Sequence, residues 1–211
     1  MPTKLMICTN ETFGLGHISR AFKLSRFLQA ASNDLSILIL TGSNMVHGFR
    51  LPPGVDIVKL PSLLKTSRMS YVSKYLPLPF EEVKRMREQI ILETTLAYQP
   101  DFVLVDYRPV GVGGELLPTL RVLRKGKTEI VSVMLFRDVL DDPELLRAEW
   151  QGVQAMGVLE ELYDEICVYG CQALYDPIKE YGFPDAVARK VRFCGYLDVE
   201  PPAAPPRRDP S

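Results

Sequence analysis

At 211 residues, 46% of them hydrophobic and 24% charged, the chain has the make-up of an ordinary globular domain, large enough for one well-packed core. A net charge of -1 excludes a general attraction to nucleic acid or anionic lipid, and no apolar run reaches transmembrane length. The N-terminus lacks the basic and apolar regions of a signal peptide, so a cytoplasmic protein with reduced cysteines is expected.

The first element is a short apolar strand, Lys4 to Cys8, suited to a buried parallel position. A helix follows, on which Ile18, Ala21, Phe22, Leu24, Ser25 and Leu28 recur at helical spacing as its buried face. Leu35 to Leu40 reads as a second buried strand, Thr41 to Asn44 as a turn, and His47 as a surface-loop residue. After the Leu51 to Gly54 punctuation, Val55 to Leu60 alternates as a third strand. Pro61 to Pro79, with Lys65, Arg68, Tyr71, Lys74 and Tyr75, shows no clear period and is expected to be a long loop, either functional or mobile.

Phe80 to Tyr98 fits a helix whose apolar positions are Val83, Met86, Ile90, Ile91 and Leu92. Asp101 to Asp106 is then a buried strand with Asp106 at its carboxyl end, followed by Tyr107, Arg108 and a Gly111 to Gly114 turn. A helix over Leu116 to Lys125 leads to a strand over Glu129 to Phe136, which ends in Arg137 and Asp138. Pro143 suits the first turn of a helix carrying Leu145, Leu146, Trp150, Met156 and Leu159. A sixth strand at Glu165 to Tyr169, a short helix near Ala173 to Tyr181 and a last strand at Val191 to Tyr196 complete the pattern. The proline-rich residues 198–211 are expected to form a linker or tail. Strands alternating with helices predict an α/β, doubly wound, mostly parallel Rossmann-like sheet over residues 1–197.

The chemistry concentrates in Thr12 to Ala21, a strand-to-helix turn containing Gly14, Leu15, Gly16 and His17. The two glycines let a ligand approach the backbone, and the following helix turns unpaired amides and a positive dipole end toward it. This is the local arrangement of an anion site. His17 is the side chain there that exchanges a proton near neutral pH; it either performs that chemistry or merely orders the loop. The dinucleotide fingerprint is missing its third glycine, since Ser19 stands there, and Ile37 to Thr41 ends without the ribose-binding acid. Walker and nucleophile-elbow motifs are absent as well. In an open parallel sheet, ligands gather at the strand carboxyl ends, so Asp106 and the glycine loop belong to one rim. Arg20, Arg108, Arg137 and Asp138 are candidates to bind an anionic or hydroxyl-rich group along it, or, for Arg137, to form a surface ion pair with Asp138 or Asp141. Cys167 and Cys171 have the spacing of half a zinc site but lack a second ligand pair, and no metal is expected.

Several segments, taken together, resemble a bacterial family of predicted glycosyltransferases. They are Phe13-Gly-Leu-Gly-His-Ile-Ser-Arg-Ala21, Leu38-Ile-Leu-Thr-Gly42, Pro53-Gly-Val-Asp56, Gly114-Glu-Leu-Leu-Pro118, Arg137-Asp138-Val-Leu-Asp141, Ala148-Glu-Trp150, Tyr163-Asp-Glu-Ile166, Val168-Tyr-Gly170, Lys190-Val-Arg192 and Gly195-Tyr196. The family looks like the GT-B class, which also contains the transferase that adds N-acetylglucosamine to the peptidoglycan lipid precursor.

The resemblance implies a metal-independent hexosyltransferase of two domains, without a cofactor, whose C-terminal domain holds a nucleotide-diphosphate sugar and whose N-terminal domain holds a hydroxyl acceptor. By motif position, Gly14, Leu15 and Gly16 would face the donor diphosphate, His17 would deprotonate the acceptor, and Asp106 would be its partner. A donor domain needs roughly 150 further residues. The chain is therefore expected to be a piece of a longer enzyme, half of a two-subunit enzyme working with a donor-domain chain or a further copy, or a non-catalytic binding or scaffold domain.

Overall fold

A computed structural model of the chain describes residues 2–10, 14–32, 34–48, 50–67, 70–126 and 130–197. Its centre is a seven-stranded sheet, all parallel, formed by β1 (Thr3–Cys8), β2 (Leu35–Thr41), β3 (Val55–Lys59), β6 (Phe102–Asp106), β7 (Val131–Arg137), β8 (Glu165–Tyr169) and β9 (Val191–Phe193). Their spatial order is β3-β2-β1-β6-β7-β8-β9. The strands are apolar because parallel strands carry helices over their faces; Met6, Ile39, Val105, Met134, Phe136, Ile166 and Val168 are fully or almost fully buried.

One face packs against α2 (Phe80–Tyr98), α3 (Leu117–Lys125), α4 (Pro143–Gly152), α5 (Ala155–Leu162), α6 (Pro177–Tyr181) and α7 (Asp185–Ala188). The other packs against α1 (Gly16–Ala31). α1 buries Ile18, Ala21, Phe22, Leu24 and Ser25, with Leu28 packed at the margin, which is the face predicted from its spacing. Beside α1, the face of β6, β7 and β8 is left as an apolar groove of about 460 Å³ lined in part by Phe102, Leu104, Leu135 and Tyr169.

Several expectations shift in detail. The long stretch after β3 contains an antiparallel hairpin, β4 (Leu63–Lys65) with β5 (Tyr71–Ser73), paired from Leu63 with Ser73 to Lys65 with Tyr71. Arg68 and Met69 at its tip lie outside the described residues, as do Thr12 and Phe13 of the glycine loop, Glu129, and the expected tail 198–211. The buried stripe of α2 is Val83, Arg87, Ile91 and Thr95, and Met86 points outward at 40% exposure. The helix expected from Pro143 through Leu159 is two helices, broken where Gln154 takes a left-handed φ of 50°. The last strand ends at Phe193 rather than Tyr196, and α7 was missed because only four residues carry it. His47 lies in a 3-10 turn, Met45–Gly48.

Arg87 sits on the core face of α2 because it has partners there. Its Nη2 donates to Glu115 Oε1 at 2.6 Å and its Nε to Glu115 Oε2 at 2.5 Å, with side chains 1% and 2% exposed. Its Nη1 donates to the Pro61 carbonyl at 2.6 Å. One guanidinium thus clamps the entry to the hairpin against the turn that starts α3. Burying two charges is offset only while both are paired and hydrogen-bonded. Arg87→Ala should therefore lower unfolding free energy by roughly 3–5 kcal/mol, measured by urea denaturation, and Arg87→Met combined with Glu115→Leu should recover most of the loss.

Candidate active site

β1 hydrogen-bonds to β2 on one side and to β6 on the other, so the sheet reverses its winding between β1 and β6. Crevices at such switch points are where open α/β sheets bind ligands. Cys8 pairs with Val105, so the chain leaves β1 and β6 side by side at one edge. Asn10 donates from Nδ2 to the Asp106 carbonyl and ties the two exits together.

The glycine loop follows. Gly14 has a left-handed φ of +80°, which explains its lack of a side chain, and a Cβ placed on Gly14 or Gly16 would meet nothing within 4 Å. The backbone there faces open space. α1 begins after Leu15 with no side chain among the described residues capping it and no acidic residue in its first turn, which leaves its N-terminal amides open toward the loop.

His17 and Arg20, one helical turn apart on α1, both reach the Asp106 carboxylate. His17 Nδ1 lies 2.6 Å from Oδ2, and Arg20 Nη1 donates to Oδ1 at 2.7 Å and to Oδ2 at 2.9 Å. The Asp106 side chain is 6% exposed and that of His17 is 21%. The contact assigns the proton to Nδ1, where it is donated to the carboxylate, and leaves the Nε2 lone pair to accept another. Arg20, expected to contact a ligand, lies against Asp106, to whose carboxylate its guanidinium donates. Beneath the cluster, burial and the Asp106 charge push the Tyr169 phenol far above its ordinary range, and its hydroxyl finds no hydrogen-bond partner among the described residues.

The other rim candidates divide. Arg108 is ion-paired with Glu149 of α4 and lies over the rings of Tyr71 and Tyr107, at 5.8 and 5.6 Å. Asp138 Oδ1 accepts from the Val139 amide and its Oδ2 from the Tyr196 hydroxyl at 2.7 Å, pinning the end of the described chain to the rim. Arg137, at the end of β7, lies 5.8 Å from the Tyr107 ring and makes no ion pair with Asp138 or Asp141 among the described residues.

Tyr107 was not singled out as a site residue. It follows Asp106 directly, with φ at +70°; such a conformation costs a bulky L-residue roughly 1–3 kcal/mol. Its ring centre is 5.5 Å from that of His17. Burial pushes its phenol above the ordinary value. The one signal in the sequence was its place after a rim aspartate, and neither its backbone strain nor its neighbours could be read there.

Comparison with solved structures agrees with this architecture. LpCGTa, solved in complex with UDP, superposes with a TM-score of 0.57 at 15% identity, over 95% of this chain and 55% of its own. A ugt transferase from Siraitia grosvenorii, also in complex with UDP, gives 0.51 at 13% identity, over 90% of this chain and 50% of its own. The chain has an α/β, Rossmann-like fold similar to about half of each of these glycosyltransferase structures. It spans about half the length of each of these proteins. No family model matches the chain, and no curated protein matches it in sequence. The chain thus shares its architecture with them at an identity too low to carry residue roles across.

No group of three or more His, Cys, Asp or Glu among the described residues is arranged to hold a metal ion, and no helix there is long and apolar enough to cross a membrane. All four cysteines are free; Cys8 is buried, Cys167 half-buried, and Cys171 and Cys194 are exposed. Cys194, expected inside a strand, lies beyond the end of β9. Burial pushes the Cys8 and Cys167 thiols up to about 12. Since the thiolate is the nucleophile, Cys171 and Cys194 should react with a disulfide reagent in the native chain at pH 8. Cys8 should react only after unfolding, as counted by thiol titration with and without denaturant.

Proposed function

We propose that this chain is the N-terminal, acceptor-side domain of a glycosyltransferase that moves a sugar from a nucleoside-diphosphate donor to a hydroxyl acceptor. The observation that carries the reading is the His17 and Asp106 pair: an imidazole whose Nδ1 is held by a buried carboxylate and whose Nε2 stays available, beside an uncapped helix end and an open glycine loop.

In this reading the acceptor oxygen attacks the anomeric carbon, the bond from that carbon to the diphosphate oxygen breaks, and the nucleoside diphosphate leaves with the electron pair. The acceptor proton passes to His17 Nε2, and Asp106 stabilises the imidazolium that results. Asp106 acts through the ring and does not take the proton itself. Arg20 fixes the carboxylate, and the Asn10 amide holds the Asp106 main-chain carbonyl, so that the imidazole is already oriented before the acceptor arrives. The amides from Gly14 to Gly16 and the dipole of α1 face the negative charge that grows on the leaving diphosphate. In this reading the base and ribose contacts come from a donor-binding half, as does most of the donor affinity.

Two measurements test the reading. With a donor-binding half supplied in cis or in trans, His17→Ala should lower kcat by roughly 100- to 10,000-fold, the usual contribution of a general base, while donor affinity stays nearly intact. If kcat survives and only KM rises, His17 is a positioning group and the assignment of Asp106 falls with it. For the chain alone, calorimetry with UDP-sugars should show millimolar binding at best, about 4 kcal/mol. Micromolar binding would instead indicate a self-sufficient binding module.

A further inference from the structure

Of the three arginines at the carboxyl edge of the sheet, two are engaged by carboxylates. Arg20 is on Asp106 and Arg108 on Glu149. Arg137 is exposed, makes no ion pair among the described residues, and has a single long hydrogen bond there, 3.5 Å from Nη2 to the Leu140 carbonyl. The neighbouring acids are occupied: Asp138 by the Val139 amide and the Tyr196 hydroxyl, Asp141 by the Asp142 amide through its Oδ1. Arg20 and Arg108 are thus each held by a carboxylate, whereas among the described residues no carboxylate pairs with the Arg137 guanidinium, although Asp138 and Asp141 carry their charges nearby in the chain.

Its surroundings give that cation a direction. The Arg137 guanidinium lies 5.8 Å from the centre of the Tyr107 ring, and the same ring lies 5.5 Å from that of His17. Tyr107 is thus a shared wall between an unpaired guanidinium and the imidazole whose Nε2 is available. Guanidinium groups bind carboxylate and phosphate through two parallel hydrogen bonds, and more strongly than they bind neutral oxygens.

We propose that the acceptor is an anion, with its carboxylate or phosphate on Arg137, its body across the Tyr107 ring, and its hydroxyl presented to His17 Nε2. This rests on the acceptor-side reading above and names the class of molecule that the domain takes. Arg137 is then the specificity-determining residue and Tyr107 the platform.

The test uses the 211-residue chain itself, which has only two histidines, so that imidazole NMR signals of His17 are assigned with a His47→Gln variant. Three probes of one shape are titrated: phenyl phosphate, benzoate and benzyl alcohol. At least one anion should shift the His17 and Tyr107 ring signals saturably, whereas benzyl alcohol should not; the stronger of the two anions separates a phosphate-bearing from a carboxylate-bearing acceptor. Arg137→Gln, checked for an unchanged amide spectrum, should weaken that anion roughly tenfold or more, and Arg137→Lys, which keeps the charge without the fork, should fall between. Arg124→Gln, a basic residue on the last turn of α3 paired with Asp164, should leave binding unchanged. Equal binding by Arg137→Gln, equal binding of benzyl alcohol, or anion binding that leaves His17 unmoved would each overturn the proposal. Failure of the proposal is distinct from failure of the function: efficient transfer to a neutral acceptor, undiminished by Arg137→Gln, would remove the anionic acceptor and leave the His17 chemistry standing.

Discussion

The structure turns on one carboxylate. Asp106 ends the strand next to β1 at the point where the sheet reverses its winding, and it is buried there. A lone buried carboxylate is costly, and this one is tolerated because Arg20 and His17 both donate to it. Those two donors lie one turn apart on α1, so the same contact sets the rotation of that helix about its axis and brings its N-terminal end and the glycine loop to the mouth of the crevice. Apolar packing of Ile18 and Phe22 holds the opposite side of the helix. The charged contact and the apolar face therefore specify the same orientation, and consistency of this kind marks a sequence with one preferred fold.

A second buried pair does similar work on the far side of the rim. Arg87 reaches out of α2 to hold Glu115 and the Pro61 carbonyl, and the loops so fixed carry Tyr71 and the glycine-rich turn ahead of α3. Gly113 belongs to this arrangement, since a Cβ there would come within 2.6 Å of the Phe80 ring. The cavity enclosed nearby, about 370 Å³, is walled by Tyr71, Phe80 and Trp150, with the Arg108 and Glu149 pair at its side. Loops at a rim are the most variable part of a parallel α/β unit; here two carboxylate-to-guanidinium pairs make them part of the framework.

The helices are distributed unevenly over the sheet. Six helices cover one face of the sheet and α1 the other, which leaves an apolar groove over β6 to β8. At the site, the imidazole, its carboxylate and the helix end are brought together. The division, proton transfer on one side and donor binding on the other, is the physical content of the proposed function.

Much of this was legible in the chain alone. Strand and helix identities follow from periods of two and 3.6 and from local turn residues, which depend on neighbours in sequence; the parallel α/β class, the buried face of α1, and the placement of His17 and Asp106 on one edge all came from that source. Tertiary structure decided what depends on residues far apart. Only the fold brings Arg20 to Asp106, 86 positions away. Arg87 broke the apolar period of α2, and only the approach of Glu115, 28 positions on, explains why its face is buried. The hairpin was invisible because three-residue strands are too short for a periodic signal, and the strained Tyr107 because φ is a property of the folded backbone. A sequence pattern records which side of an element is apolar, whereas the partner of a charge is set by strand order, which no local pattern contains.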